Sequence, residues 1–259
     1  MTDDDPSPRW HWEDPDEFSR KTTQAHADHG RRVRLEPIAV ATPLFTRADL
    51  IALPVTGIEF GTLGTDHPTG LAADLVHLRS NSVHTEPGRL YRVDDTRYFT
   101  AVDVTAPLPF DTGCVDWVYA EHLIEHVKPT VAIAWLGEVR RILSHGGLLR
   151  LTTPDLRKYA ECYLHGGEFF VEHRRRMDSV IGAESAMPTR PAFMFNQIFY
   201  LYGHRWIYDA DELRHALLSA GFSDDKITVR AFRQGALPDV TELDRPLRND
   251  ETIYVEATT

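Results

Sequence analysis

Cysteine is nearly absent from this chain. Its 259 residues include two, Cys114 and Cys162, and neither belongs to a C-x-x-C pair. That spacing excludes a zinc ribbon or a disulfide framework and fits two half-buried, reduced thiols in a cytosolic protein. Long apolar runs are missing as well; none approaches the roughly 18 residues that a membrane span requires. The opening MTDDDPSPRWHWEDPDEF is acidic and lacks an apolar segment, so no secretory signal is expected. Basic charge is in deficit, with Lys+Arg 28 against Asp+Glu 39 and a formal net charge of −11. The densest basic runs, Arg31-Arg32-Val33-Arg34 and Arg174-Arg175-Arg176, are short. Without a basic stripe, neither nucleic acid nor a membrane is expected as a partner. No internal repeat is visible, and the oligomeric state is not legible.

What is present suits one large α/β domain. Hydrophobic residues make up 42% and charged residues 26%, and this length can bury a sizeable core. Residues 1–30 are polar and carry Pro6, Pro8 and Pro15. They read as a flexible acidic arm or lid ahead of a domain at 31–259, with Trp10, Trp12 and Phe18 available to dock. From Val55 the pattern sharpens. Ile58–Gly61 reads as a strand entering a glycine turn, and residues 80–98 read as an insertion. Strands follow at Phe99–Val104 and Val115–Tyr119. Ala132, Trp135, Leu136, Val139, Ile142 and Leu143 fall on one face of a helix spanning about 130–143. Gly146-Gly147 is expected to close that helix, and Leu148–Thr152 to form the next strand, stopped by Pro154. Asp209 with Glu212 three residues on signals another helix start. Its stripe is Leu213, Ala216, Leu217 and Ala220, and Gly221 ends it. Ile227–Phe232 and Thr252–Ala257 read as strands. Strands alternating with helices predict a doubly wound, Rossmann-like, mostly parallel sheet.

In such sheets the ligand lies beyond the carboxyl ends of the strands. The segments that should converge are Gly61-Thr62-Leu63-Gly64-Thr65, Ala120-Glu121-His122 and Thr153-Pro154-Asp155. A glycine turn leading toward a helix lets backbone N–H groups approach a ligand. Acidic side chains after neighbouring strands can accept hydrogen bonds from ribose hydroxyls.

Five pieces carry a resemblance: Asp103-Val-Thr-Ala-Pro-Leu-Pro-Phe110, Val115-Asp-Trp-Val-Tyr-Ala-Glu-His-Leu-Ile-Glu-His126, Glu138-Val-Arg-Arg-Ile-Leu143, Gly146-Gly-Leu-Leu-Arg-Leu-Thr-Thr-Pro-Asp155, and Gly203-His-Arg-Trp-Ile-Tyr-Asp209 leading to Ala220-Gly-Phe222. In this order they resemble class I S-adenosylmethionine-dependent methyltransferases of the type 11 kind, and more narrowly a group of predicted bacterial methyltransferases. The resemblance implies a seven-stranded sheet with its last strand antiparallel, and S-adenosylmethionine as methyl donor. It implies that Glu59, Gly61 and Gly64 form the first cofactor loop. Asp74 would hold the ribose, with Asp94 as the rival. Asp103 or Val104 would line the adenine, and Ala120, Glu121 and His122 would flank the sulfonium and the acceptor. The family's first loop has a G-x-G-x-G spacing, from which Thr62, Leu63 and Thr65 depart.

Methyl transfer from a sulfonium is an in-line displacement in which alignment and exclusion of water are the protein's main tasks. His122 and His204 are the candidate bases for a hydroxyl or amine acceptor. Tyr200, Tyr202 and Arg205 are candidates for shaping the acceptor pocket. The acceptor is expected to be a small molecule of biosynthetic kind, and no metal is expected. Two other readings stand beside this one. The first is a methyltransferase fold that has been repurposed or has lost catalysis, motivated by the thin glycine loop. The second is a zinc hydrolase, because His122-Leu-Ile-Glu-His126 matches H-x-x-E-H; on a helix His122 and His126 would share one face.

Overall fold

The computed structural model describes residues 14, 33–40, 43–62, 64–75, 78, 85–181 and 187–259. Apart from Asp14, the arm expected at 1–30 lies outside the described residues.

The strands are β1 (Leu35–Val40), β2 (Gly57–Phe60), β3 (Gly70–Asp74), β4 (Arg89–Val93), β5 (Arg97–Ala101), β6 (Val115–Glu121), β7 (Leu143–Pro154), β8 (Ile227–Arg230) and β9 (Thr252–Thr258). They form one sheet in the order β1-β4-β5-β3-β2-β6-β7-β9-β8. The run β5-β3-β2-β6-β7 is parallel, and β9 enters antiparallel between β7 and β8. The fold is therefore Rossmann-like α/β, with the last strand reversed as expected. The strand number is corrected from seven to nine among the described residues. The poorly patterned stretch before residue 98 makes a β4–β5 hairpin, and β1 pairs outside it, both antiparallel.

The helices are α1 (Arg47–Ile51), α2 (Pro129–Ile142), α3 (Leu156–His165), α4 (Phe169–Ile181), α5 (Pro191–Tyr200), α6 (Ala210–Ser219) and α7 (Pro238–Thr241). Helix α2 starts with Pro129 in its first turn, where no N–H is needed. It buries the predicted stripe Ala132, Trp135, Leu136, Val139 and Ile142 against the sheet. The glycine pair does not cap it. Leu143 already turns extended to pair with Val115, so α2 ends at Ile142. Gly146 takes its positive φ of 74° inside the first stretch of β7 instead. Asp209 caps α6 by accepting from the Glu212 N–H, as expected. The Glu212 carboxylate accepts from the Trp206 indole.

Two further features were not read from the sequence. Helices α3, α4 and α5 build a second core around Tyr159, Phe170, Met194 and Ile198, beyond the carboxyl end of β7. The other is the crossover from β2 to β3, which uses only residues 61–69 and contains no helix among its described residues. Parallel strands ordinarily need a dozen or more residues, usually helical, to cross over. Here the returning chain packs His67 on Trp117, with ring centroids 4.4 Å apart and planes tilted by 53°. The face beside it is covered by Leu237, Val240 and Leu243 over Trp117, Tyr119 and Leu148. The expected glycine turn into a helix is thus corrected to a glycine turn into an extended return. Among the described residues no helix is long and apolar enough to cross a membrane.

Candidate functional site

The carboxyl ends of β2 and β6 meet in register, with Glu59 opposite Tyr119 and Phe60 opposite Ala120. Above them lies a cavity of about 230 Å³ lined by Glu59, Phe60, Gly61, Thr62, Gly64, Asp66, Tyr119, Glu121 and the segment Arg233 with Glu242–Pro246. Four of the predicted cofactor residues, Glu59, Gly61, Gly64 and Glu121, are brought together here.

Gly61 turns the chain out of β2 at a φ of 77°, a conformation that L side chains rarely adopt. Its N–H is spent on the Ala73 carbonyl. Thr62 then donates its hydroxyl to the Gly64 carbonyl. Glu59 is 4% exposed, and its Oε1 has no hydrogen-bond partner. Burial, reinforced by the charges of Asp66 and Glu121 and opposed by Arg245, pushes its carboxyl up to about 8. Gly70 makes room for it, since a Cβ there would meet Glu59 Oε1 at 2.6 Å and Thr65 Oγ1 at 2.5 Å. At the mouth Glu121 Oε2 pairs with Arg245 Nε at 2.9 Å.

The other predicted residues do not line this cavity. Asp74 ends β3, the neighbour of β2. Asp94 sits with φ 45° at the tip of the β4–β5 hairpin and accepts from the Arg34 N–H. That tip precedes β5, at the amino end of the parallel sheet. Asp94 therefore lies at the end of the sheet opposite the crest. Asp103 is exposed just after β5, and its carboxylate accepts from the N–H and hydroxyl of Thr105. Val104 packs against the main core. Ala120 is wholly buried in that core rather than in the cavity.

Neither histidine expected as a base lines the cavity. His122, buried with φ 49°, places Nε2 2.9 Å from the Thr252 hydroxyl and Nδ1 3.3 Å from Glu125 Oε1. Thr252 gives its own proton to the Arg248 carbonyl, so it accepts from His122. His204 donates from Nδ1 to the Ile198 carbonyl at 2.5 Å. Burial, countered in part by Glu125, brings His204 down to about 4. Tyr200 is exposed, and the Arg205 N–H is tied to the Glu125 carbonyl. The H-x-x-E-H reading is corrected: β6 runs to Glu121, and Ile124–His126 form one 3-10 turn, so His122 and His126 share no helix face.

The segment 233–246 was missed by sequence reasoning, although it supplies both cations of the cavity, Arg233 and Arg245. Its polar sequence reads as surface. What holds it over the sheet is Arg150, a fully buried guanidinium on β7. Arg150 meets Asp244 Oδ1 at 2.8 Å and Glu256 Oε1 at 3.0 Å.

No family model matches the chain, and no curated protein matches it. Among solved structures it is similar to an S-adenosylmethionine-dependent methyltransferase from Mesorhizobium loti, at 16% identity and TM-score 0.43, covering 82% of this chain and 96% of that one. It is also similar to PigF with SAH (15%, TM-score 0.36, 64% of this chain and 36% of that one). A third is the Haemonchus contortus phosphoethanolamine N-methyltransferase 2 (13%, TM-score 0.39, 79% and 49%). The chain thus spans about a third of the length of PigF and half that of the Haemonchus enzyme.

Proposed function

We propose that this chain is a methyltransferase that binds S-adenosylmethionine at the crest of its sheet and serves a small-molecule acceptor. The observation that carries the reading is Glu59: a buried carboxyl that lines the cavity, with an unpartnered oxygen packed against Gly70 and with Glu121 in the same lining. An unpaired buried carboxyl asks for a cation or a donor. The ammonium and sulfonium of the cofactor are cations, so the residues present fit this part of the group. Its carboxylate, which a helix N-terminus would hold if a helix followed the turn, finds Arg245 or Arg233 instead. Asp74, at the end of the adjacent strand, suits the ribose hydroxyls, and Asp103 with Val104 the adenine edge. When bound, the cofactor supplies an electrophilic methyl group.

The remaining tasks fall to the protein's own residues. Glu59 and Glu121 orient the positive groups, and the Gly61–Gly64 backbone permits close approach. Of the two candidate bases, neither lines the cavity; His204 keeps its Nε2 lone pair because Nδ1 donates to Ile198, but burial makes it a weak proton acceptor. His122 is held between Glu125 and Thr252 and is better suited to fixing the end of β6. The acidic overall charge supports a small-molecule acceptor over nucleic acid.

A second reading, a repurposed fold without transfer, is favoured by two observations. The crossover lacks a helix, and the cavity, at about 230 Å³, is smaller than the roughly 300 Å³ usual for ligand clefts. Calorimetry with S-adenosylmethionine and S-adenosylhomocysteine separates the two. Binding that is abolished in Gly61→Arg supports the methyltransferase. Binding unchanged in that variant removes the site, and absence of binding in the parent chain leaves the repurposed fold.

A further inference from the structure

Behind the end of β6 lies a group of side chains outside the cavity, of which the reading above uses only His204, and a metal on its Nε2 would take the place of that role. Glu125, His126 and His204 each bring one potential ligand atom within 4.8 Å of the others. We infer that Glu125, His126 and His204 form a binding site for a divalent transition-metal ion, of the zinc, iron or manganese class. This goes beyond the reading above and does not depend on it.

The geometry is that of a two-histidine, one-carboxylate set. Ligand atoms about 2.1 Å from a common ion lie about 3–4 Å apart, so a small side-chain rotation closes the present spacing. Each ligand is already held from behind, as metal ligands usually are. His204 gives its Nδ1 proton to the Ile198 carbonyl, which leaves Nε2 as the lone-pair donor. His126 hydrogen-bonds the Gly203 backbone. Glu125 is wholly buried, and its Oε2 accepts from the Thr153 hydroxyl. Its Oε1 makes no hydrogen bond and has only the His122 ring at 3.3 Å. A fully buried carboxylate with an unfilled oxygen, beside two imidazoles that each keep a nitrogen for a ligand, is costly unless a cation completes it. The chain fixes the set from two directions: the 3-10 turn after β6 carries Glu125 and His126, and the Arg205 and Trp206 N–H groups bind the Glu125 carbonyl, which brings in the loop bearing His204. His126 is exposed, so solvent or a ligand reaches the ion's open positions. Imidazole and carboxylate together suit Zn2+, Fe2+ or Mn2+ better than Mg2+ or Ca2+. This set differs from the H-x-x-E-H pair, because His122 is a neighbour of Glu125 here and His204 takes the place expected of it.

The test uses the full chain, stripped with chelator and dialysed against Zn2+, with metal content and calorimetry as readouts. One equivalent of zinc is expected in the parent, falling to background in His126→Ala and in His204→Ala. His145→Ala and His215→Ala, which remove exposed histidines elsewhere, should keep the full equivalent. Because an alanine variant can fail by misfolding, His126→Cys loaded with Co2+ provides a gain of signal: a thiolate-to-cobalt absorption band absent from the parent. A parent that binds no zinc, zinc retained in both alanine variants, or a folded His126→Cys protein without that band overturns the assignment. None of these results depends on S-adenosylmethionine binding, so the two readings fail separately.

Discussion

Arg245 holds its Nε 2.9 Å from Glu121 Oε2 and so ties the segment before β9 to the end of β6 across the mouth of the cavity. The arginine is more than half exposed, which keeps the pair's contribution to stability below about 1 kcal/mol. Its larger role is to give a largely acidic cavity one of its two cations. Arg245→Ala is therefore expected to leave the melting temperature nearly unchanged. It should weaken S-adenosylhomocysteine binding roughly tenfold, about 1.4 kcal/mol, with Arg245→Lys intermediate. Calorimetry reads the difference, and an alanine variant that binds like the parent places the cofactor's carboxylate elsewhere.

Glu59 gives that cavity a pH signature. Its carboxyl is raised from an ordinary 4.5 to about 8, chiefly by burial. The unfolded chain loses this proton near 4.5 while the folded chain keeps it to about 8, so the group's contribution to stability declines as pH rises through that window. Glu59→Gln should flatten the decline, melting higher than the parent at pH 8 and close to it at pH 4.5. Thermal melts across this range provide the check; parallel curves for the two proteins would contradict it.

The same group predicts a proton released on binding a cation. At pH 7 the free carboxyl is protonated, and a ligand ammonium or sulfonium favours the carboxylate. Titrations of S-adenosylmethionine in buffers of different ionisation enthalpy should show release approaching one proton per site in the parent and little in Glu59→Gln. Equal release from both would assign the proton to another group.

His173 and Glu251 govern the acid side. His173 is 1% exposed, and burial brings it down to about 4, with Arg176 hydrogen-bonded to Nδ1 and the Gln197 amide 3.1 Å from Nε2. The unfolded chain takes up a proton near 6.5 that the native ring refuses until about 4, so stability is lost as pH falls across that interval. Burial alone would raise Glu251, but His173, Arg176 and the Tyr159 hydroxyl hold it at about 2, which extends the loss from 4.5 downward. Denaturant titrations should show this slope reduced in His173→Gln between pH 6.5 and 4.

Arg150 is a third lever. Replacing it with methionine leaves the buried Asp244 carboxylate without its cation and Glu256 with Arg230 alone. Losing one side of a buried ion cluster costs about 3–5 kcal/mol. The variant should melt well below the parent and also lose affinity at the cavity, since Asp244 and Arg245 move with the same segment. A variant as stable as the parent would show that Leu237, Val240 and Leu243 hold that segment unaided.

Much of the frame was legible in the chain. The helical stripe from Ala132 to Ile142 and the Asp209 cap lie where the periodicity and side-chain chemistry put them. So do the strands around Val118, Leu149 and Val255. Glu59, Gly61 and Glu121 were likewise legible, because they directly follow or end apolar strands. The three helices between 156 and 200 were not read, and the 80–98 stretch hid a hairpin. Gly146 was misread as a cap because positive φ suits a helix end and a strand entrance equally well.

By itself, then, the sequence determined six of the nine strands, β2 and β5 to β9, and the place of Glu59, Gly61 and Glu121 near the ends of two of them, since both follow from local periodicity and turn chemistry. The tertiary structure alone decided the rest. It set Asp74 toward the crest and Asp94 at the opposite edge, because strand direction is fixed by pairing across the sheet. It replaced a crossover helix with the segment around Val240. It also gathered Glu125, His126 and His204 from positions up to 79 residues apart (204 − 125). Side chains distant in sequence become neighbours only through burial of shared apolar surface, and no local pattern in the chain encodes that.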